Sequence, residues 1–168
     1  IKNLVDFGFT GTVYPINPSA DEVRGIKAYK SILDCPDNID VVHMVIPAKF
    51  VPQAVEDCGT KGVKHIIINS GGFSETGAEG TAIEKDFLAR AKRYGIRILG
   101  PNCQGIINSD AAIRAYCNFT FTKPEPGFIS IVALSGGVAE VVHQAFAQAG
   151  VGTRIYASNG NAVDVTIP

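Results

Sequence analysis

Short apolar runs recur along the chain, each broken by glycine, proline or small polar residues and most followed by a stretch of helical spacing. The runs at 12–16, 41–46, 65–68, 96–99, 129–134 and 154–157 are predicted strands. Two of them, Val41-Val42-His43-Met44-Val45-Ile46 and the Ile66-Ile67-Ile68 stretch, are nearly continuous rather than alternating, the pattern of parallel strands covered on both faces. Between strands, Ile83, Phe87, Ala91 and Tyr94 place one apolar stripe on a helix that Gly95 should end. Val138, Val141, Val142, Ala145, Phe146 and Ala149 form a second stripe, with Gly150 as its stop. Strands alternating with helices at this spacing predict an α/β fold built on a doubly wound parallel sheet.

The same pattern divides the chain. Residues 1–122 read as one α/β domain and 128–168 as the beginning of another, with Pro124, Pro126 and Gly127 marking a linker at 123–127. Ile1, Leu4 and Val5 make half a helical stripe with neither an N-cap nor a strand before it, so the first strand of the sheet is expected outside this sequence. The second domain shows two strands and one helix, and is expected to continue past Pro168.

Charge narrows the function classes. The net charge is −1 and no basic cluster exceeds Lys92-Arg93, so neither nucleic acid nor an anionic membrane surface finds an electrostatic footprint. No apolar run approaches the roughly 20 residues of a membrane-spanning helix, and the first residues lack a signal-peptide layout. Cys35, Cys58, Cys103 and Cys117 form no C-x-x-C pair, which argues against a disulfide framework or a metal site and for a reducing cytoplasm.

In an open parallel sheet, ligands bind beyond the carboxyl ends of the strands. Here those ends are Asn17-Pro18, Pro47-Ala48-Lys49-Phe50, Asn69-Ser70-Gly71-Gly72 and Gly100-Pro101-Asn102-Cys103-Gln104-Gly105. Small residues there let a ligand approach the backbone, as a long molecule carrying amides and a pyrophosphate would need. Ser135, Gly136 and Gly137 follow a strand and open the second striped helix, a candidate anion cradle of free N–H groups.

Six strings, in order, carry a family resemblance. Val13-Tyr14-Pro15-Ile16-Asn17-Pro18, Ile46 to Pro52, Gly72 to Gly77 and Gly100 to Asn108 resemble the Rossmann-like CoA-binding domain of NDP-forming acyl-CoA synthetases, relatives of the succinyl-CoA synthetase α subunit. Leu134 to Val138 and Gly160 to Val165 resemble the opening of the flavodoxin-like domain that follows it. The resemblance implies an acid–CoA ligase that uses coenzyme A and ATP/ADP with Mg, through an acyl phosphate and a phosphohistidine lying outside this chain. It implies a small carboxylic acid as substrate, an ATP-grasp domain or subunit as partner, an oligomer, and no catalytic residue within these 168. Pro47, Ala48, Lys49 and Phe50 would line the adenosine and pantetheine path together with Asn17; Asn69, Ser70 and Gly71 would meet the pantetheine amides, and Asn102 and Cys103 the reactive end. Ser135, Gly136 and Gly137 would face the transferred phosphoryl group.

Two departures stand out. Ala133 and Leu134 replace the Ser and Gln of many relatives, and Ala20 stands near a CoA-binding lysine position, with Arg24 or Lys27 as substitutes. Cys103 has no adjacent histidine or carboxylate to lower its pKa, so it is expected to line the site rather than attack. His43, His65 and His143 all fall where a structural role is expected, not in a phosphohistidine setting. The alternative is a CoA-binding regulatory module, or the degenerate ligase-like half of a protein acetyltransferase. An NAD-type Rossmann protein is disfavoured because no G-x-G-x-x-G follows a visible strand.

Overall fold

The computed structural model describes residues 1–167. In chain order the regular elements are α1 (Lys2–Asp6), β1 (Glu22–Val23), β2 (Ile26–Lys27), β3 (Val41–Met44), α2 (Val51–Lys61), β4 (His65–Ile68), α3 (Ala78–Tyr94), β5 (Arg97–Leu99), β6 (Gly105–Asn108), β7 (Ala115–Asn118), β8 (Ile129–Ala133), α4 (Gly136–Gln148) and β9 (Thr153–Ser158). Strands β3, β4 and β5 form a parallel sheet in that order, and β1 pairs with β2 as a short hairpin. The remaining strands form a mixed sheet ordered β7-β6-β9-β8.

The first sheet follows from its sequence. Its strands are too apolar to leave a face in water, so α2 and α3 cover one side. Val51, Val55 and Cys58 of α2 and Phe87 and Ala91 of α3 are buried against Ile66, Ile68 and Ile98. Phe73 and Phe87 meet edge to face with centroids 5.4 Å apart. Pro52 sits in the first turn of α2, where its missing N–H costs nothing, and Gly62 ends the helix in a left-handed conformation at φ +90°. Gly95 does the same for α3 at φ +64°.

The second sheet is organised by one row of side chains. Tyr116, Ile107, Tyr156 and Ile131 are register neighbours across all four strands and are buried beneath Ala139 of α4. Parallel pairing holds for β8 with β9, while β6 joins β9 antiparallel. The β6–β7 hairpin thus lies on the early side of residues 123–127 yet shares a sheet with β8 and β9. Helix α4 is fastened to the intervening segment by polar contacts. The Thr120 hydroxyl and Phe121 N–H donate to one carboxylate oxygen of Glu140 at 2.9 and 3.2 Å, and His143 Nε2 donates to the Thr122 carbonyl at 3.2 Å.

Several expected boundaries shift. Residues 12–16 form no strand: only an isolated bridge joins Ile16 to Tyr29, because Pro15 lacks the N–H a ladder needs. The strand expected at 41–46 ends at Met44, the one at 129–134 ends at Ala133, and β9 is longer by one residue at each end than 154–157. Strands β6 and β7 were not expected at all. Among the described residues, no helix is long and apolar enough to cross a membrane.

Candidate functional site

The carboxyl ends of β3, β4 and β5 converge on one edge. After β4, the Ser70 side-chain oxygen accepts the Ile46 N–H at 3.0 Å, and its carbonyl accepts the Asn102 N–H at 2.9 Å. Ser70 therefore ties the end of β3 to the loop after β5. A methyl on Gly71 would stand 3.2 Å from Glu75 Oε1 and 3.3 Å from Asn102 Oδ1, and one on Gly72 would stand 3.2 Å from the Ala48 side chain. Larger residues would close the gap between the loops. Among the described residues, the N–H groups of Ser70 and Gly71 donate to no other part of the chain, which leaves both as available donors in the loop after β4.

Lys49 and Phe50 lie at the rim. Both are exposed, and the Lys49 ammonium sits 4.9 Å from the centre of the Phe50 ring. No carboxylate among the described residues pairs with Lys49, which leaves its charge for an anion.

The loop 100–104 is the most constrained part of the edge. Gly100 has φ +102°, and a side chain there would collide with the Ile68 carbonyl. Asn102 adopts a left-handed φ of +56°, a conformation asparagine tolerates better than most residues. Cys103 is buried, its thiol 3.3 Å from the Ile68 carbonyl, and burial pushes its pKa up to about 11. A thiol so protonated at neutral pH is a poor nucleophile. Asn69 is 8% exposed, and both ends of its side-chain amide have a partner: Nδ2 donates to the Cys103 carbonyl at 3.0 Å while Oδ1 accepts from His43. Its backbone N–H is engaged as well, on the Met44 carbonyl at 3.0 Å, which leaves its backbone carbonyl for a ligand.

The second sheet closes one side of this edge. Asn161, Val163 and Val165 donate their N–H groups to the carbonyls of Pro101, Gly100 and Ile98, so the segment after β9 runs alongside the end of β5. Asp164 reinforces it by pairing with Arg97 at 2.9 Å and accepting the Ile98 N–H at 2.7 Å. Asn161 also donates to Glu75 at 2.6 Å and accepts from Asn102 at 3.3 Å. Burial raises the pKa of the Glu75 carboxyl, but bonds from Asn161 and from the Gly72 and Phe73 N–H groups outweigh this and hold it below its ordinary value. Helix α4 opens nearby, with Ser135 capping the Val138 N–H at 3.3 Å. A side chain at Gly136 would collide with Gln104, so the start of α4 packs directly on the loop after β5. The N–H groups of Gly136 and Gly137 belong to the first helical turn and have no partner within the helix.

The structure thus brings together Ala48, Ser70, Gly71, Asn102, Cys103 and the start of α4. The Asn17 side chain is engaged within its own turn, accepting the N–H groups of Ser19 and Ala20. Of the basic residues near that turn, Arg24 is paired with Asp6 and Lys27 lies over Tyr29. Lys30 instead reaches the turn, its ammonium 3.1 Å from the Ala20 carbonyl and 2.7 Å from Asp21. Glu75, Asn161 and Lys30 were not singled out from sequence. Asn161 could have been, since it lies in a Gly-Asn loop after a strand.

Comparison with known proteins places this geometry in context. A family model described as "CoA binding domain" matches residues 1–109. Over 98% of its length the chain is 38% identical to the alpha subunit of an ADP-forming acetate–CoA ligase I from Pyrococcus furiosus, covering 36% of that protein. Over 98% it is 43% identical to an ADP-forming acetate–CoA ligase from Methanocaldococcus jannaschii, covering 23% of it. The chain thus spans only about a quarter to a third of these relatives. Among solved structures, the apo form of a dinucleotide forming acetyl-coenzyme A synthetase 1 from Ca. Korarchaeum cryptofilum matches with a TM-score of 0.91 at 33% identity, over 99% of this chain and 35% of that one.

Proposed function

The chain belongs to the CoA binding domain family, and from that we propose that it binds coenzyme A along the carboxyl edge of the β3–β4–β5 sheet, as part of an NDP-forming acid–CoA ligase. The observation that carries the reading is the set of unpartnered Ser70 and Gly71 N–H groups in a gap that only small residues leave open. Those two donors suit the pantetheine carbonyls. The cation of Lys49, which pairs with no carboxylate among the described residues, suits the CoA phosphates. Pro47, Ala48 and Phe50 would flank the adenosine, and Asn102 and Cys103 the thiol end.

In the complete enzyme the reaction would join a carboxylic acid to CoA with ATP, giving acyl-CoA, ADP and phosphate. Mg would accompany the nucleotide, and an ATP-grasp domain or subunit and an oligomeric assembly would complete the enzyme. The attacking thiol is that of CoA, consistent with a protonated Cys103. The first N–H groups of α4 at Ser135, Gly136 and Gly137 would receive the phosphoryl group. In this reading residues 1–122 supply the CoA edge and 128–168 begin the next domain, with the β6–β7 hairpin bridging the two.

Isothermal titration with CoA and, separately, with NAD tests the ligand class. Saturable CoA binding with no NAD binding is expected. Binding of NAD in preference to CoA would overturn the proposal.

A further inference from the structure

His43 does not reach the ligand edge, yet it is joined to it through two hydrogen bonds. It stands on β3 opposite Ile67 of β4, between strand residues that pack on the apolar core. An imidazole in such a place is costly unless its polar atoms are paired. Its Nε2 meets Asn69 Oδ1, and Asn69 Nδ2 donates to the Cys103 carbonyl at 3.0 Å. Asn69 is itself held at the end of β4 by its N–H on the Met44 carbonyl at 3.0 Å.

The direction of this chain follows from the inventory of donors and acceptors. The Cys103 carbonyl can only accept, so the NH2 end of Asn69 must face it. Reversing the amide would set two oxygens against each other. With the NH2 end so committed, Oδ1 faces His43, and the imidazole must donate through Nε2. Burial lowers the His43 pKa to about 4, opposed by the bond to Asn69, so at neutral pH the ring carries a single proton, on Nε2.

We infer that His43, acting through Asn69, is a positioning residue that orients the Cys103 carbonyl and holds the 100–104 loop in its ligand-facing conformation. That loop carries a left-handed Asn102 and sits between both sheets, with the Asn102 N–H on the Ser70 carbonyl at 2.9 Å and the Gln104 N–H on the Ser158 hydroxyl at 3.1 Å. Its backbone geometry therefore depends on anchors from the inner side, and His43 supplies one from a strand that contributes no other polar side chain there. Only the effect on CoA rests on the proposed function.

The test compares H43F, which keeps a ring but removes the donor, with H43Q, which restores an N–H near the position of Nε2. Both are made in the full chain. Amide exchange at Asn102 and Gln104, measured without ligand, should speed about tenfold in H43F and return toward the unaltered rate in H43Q. CoA should bind about tenfold more weakly to H43F, with the same recovery in H43Q. Unchanged exchange at these amides in H43F overturns the inference, as does a rise spread evenly over β3, β4 and β5, the mark of general destabilisation. Should H43F fail to fold, a long-range 1H–15N correlation spectrum of the unaltered chain decides: a proton on Nε2 supports the relay and one on Nδ1 refutes it. If the unaltered chain does not bind CoA, the proposed function falls while exchange and tautomer still judge the relay.

Discussion

Cys103 and Glu75, on the loops after β5 and β4, respond oppositely to their surroundings. Burial keeps the Cys103 thiol protonated, with a pKa near 11, so in the folded chain at pH 8 it should resist a disulfide reagent and become reactive only on unfolding. Rapid labelling of Cys103 in the native protein, located by mass spectrometry, would contradict this. Glu75 has its pKa lowered by the donors that converge on it. A depressed carboxylate contributes stability that is present above its unfolded value, about 4.3, and is lost as pH falls through its folded value. The bond from Asn161 to Glu75 should therefore persist from neutral pH down to that range. Following the Asn161 side-chain amide by NMR checks it, and a transition above pH 6 would show that another group controls the contact.

The β6–β7 hairpin and the Glu140 clamp on α4 show how far the elements exceed what local pattern conveys. Glu140 and His143 lie on the face of α4 that meets segment 120–122, and both are buried. Glu140→Ala would remove the acceptor of the Thr120 hydroxyl and the Phe121 N–H, and should cost about 1–3 kcal/mol in denaturant unfolding. No loss of stability would mean that segment 120–122 finds equivalent partners in water. The parallel strands and helices α3 and α4 were legible because continuous apolar runs, helical stripes and glycine stops are local signals. Strand β7 was not: Ala115-Tyr116-Cys117-Asn118 has little strand propensity, and its status comes from β6, which in turn pairs with β9 some 50 residues later. The run at 12–16 misled because Pro15 cannot donate to a ladder however apolar its neighbours are.

The two sheets meet where the loops after β5 and β9 share hydrogen bonds, and the candidate site lies along that junction. Its floor was readable, since glycine, serine and asparagine after successive parallel strands mark a place for close backbone approach. Its closure by Asn161 and Glu75 was not, because those residues are 86 positions apart and nothing local pairs them. Nor was the relay from His43, a residue that reads as an ordinary strand position until Asn69 is seen beside it. The central claim, that CoA lies on the carboxyl edge of β3–β4–β5, is tested most directly by residue-resolved chemical-shift mapping of the chain with CoA. The largest changes should fall on the amides of Lys49, Ser70, Gly71 and Asn102, with little change at Val41, His65 and Arg97 on the opposite edge. Changes confined to that opposite edge, or absent from Ser70 and Gly71, would contradict the account.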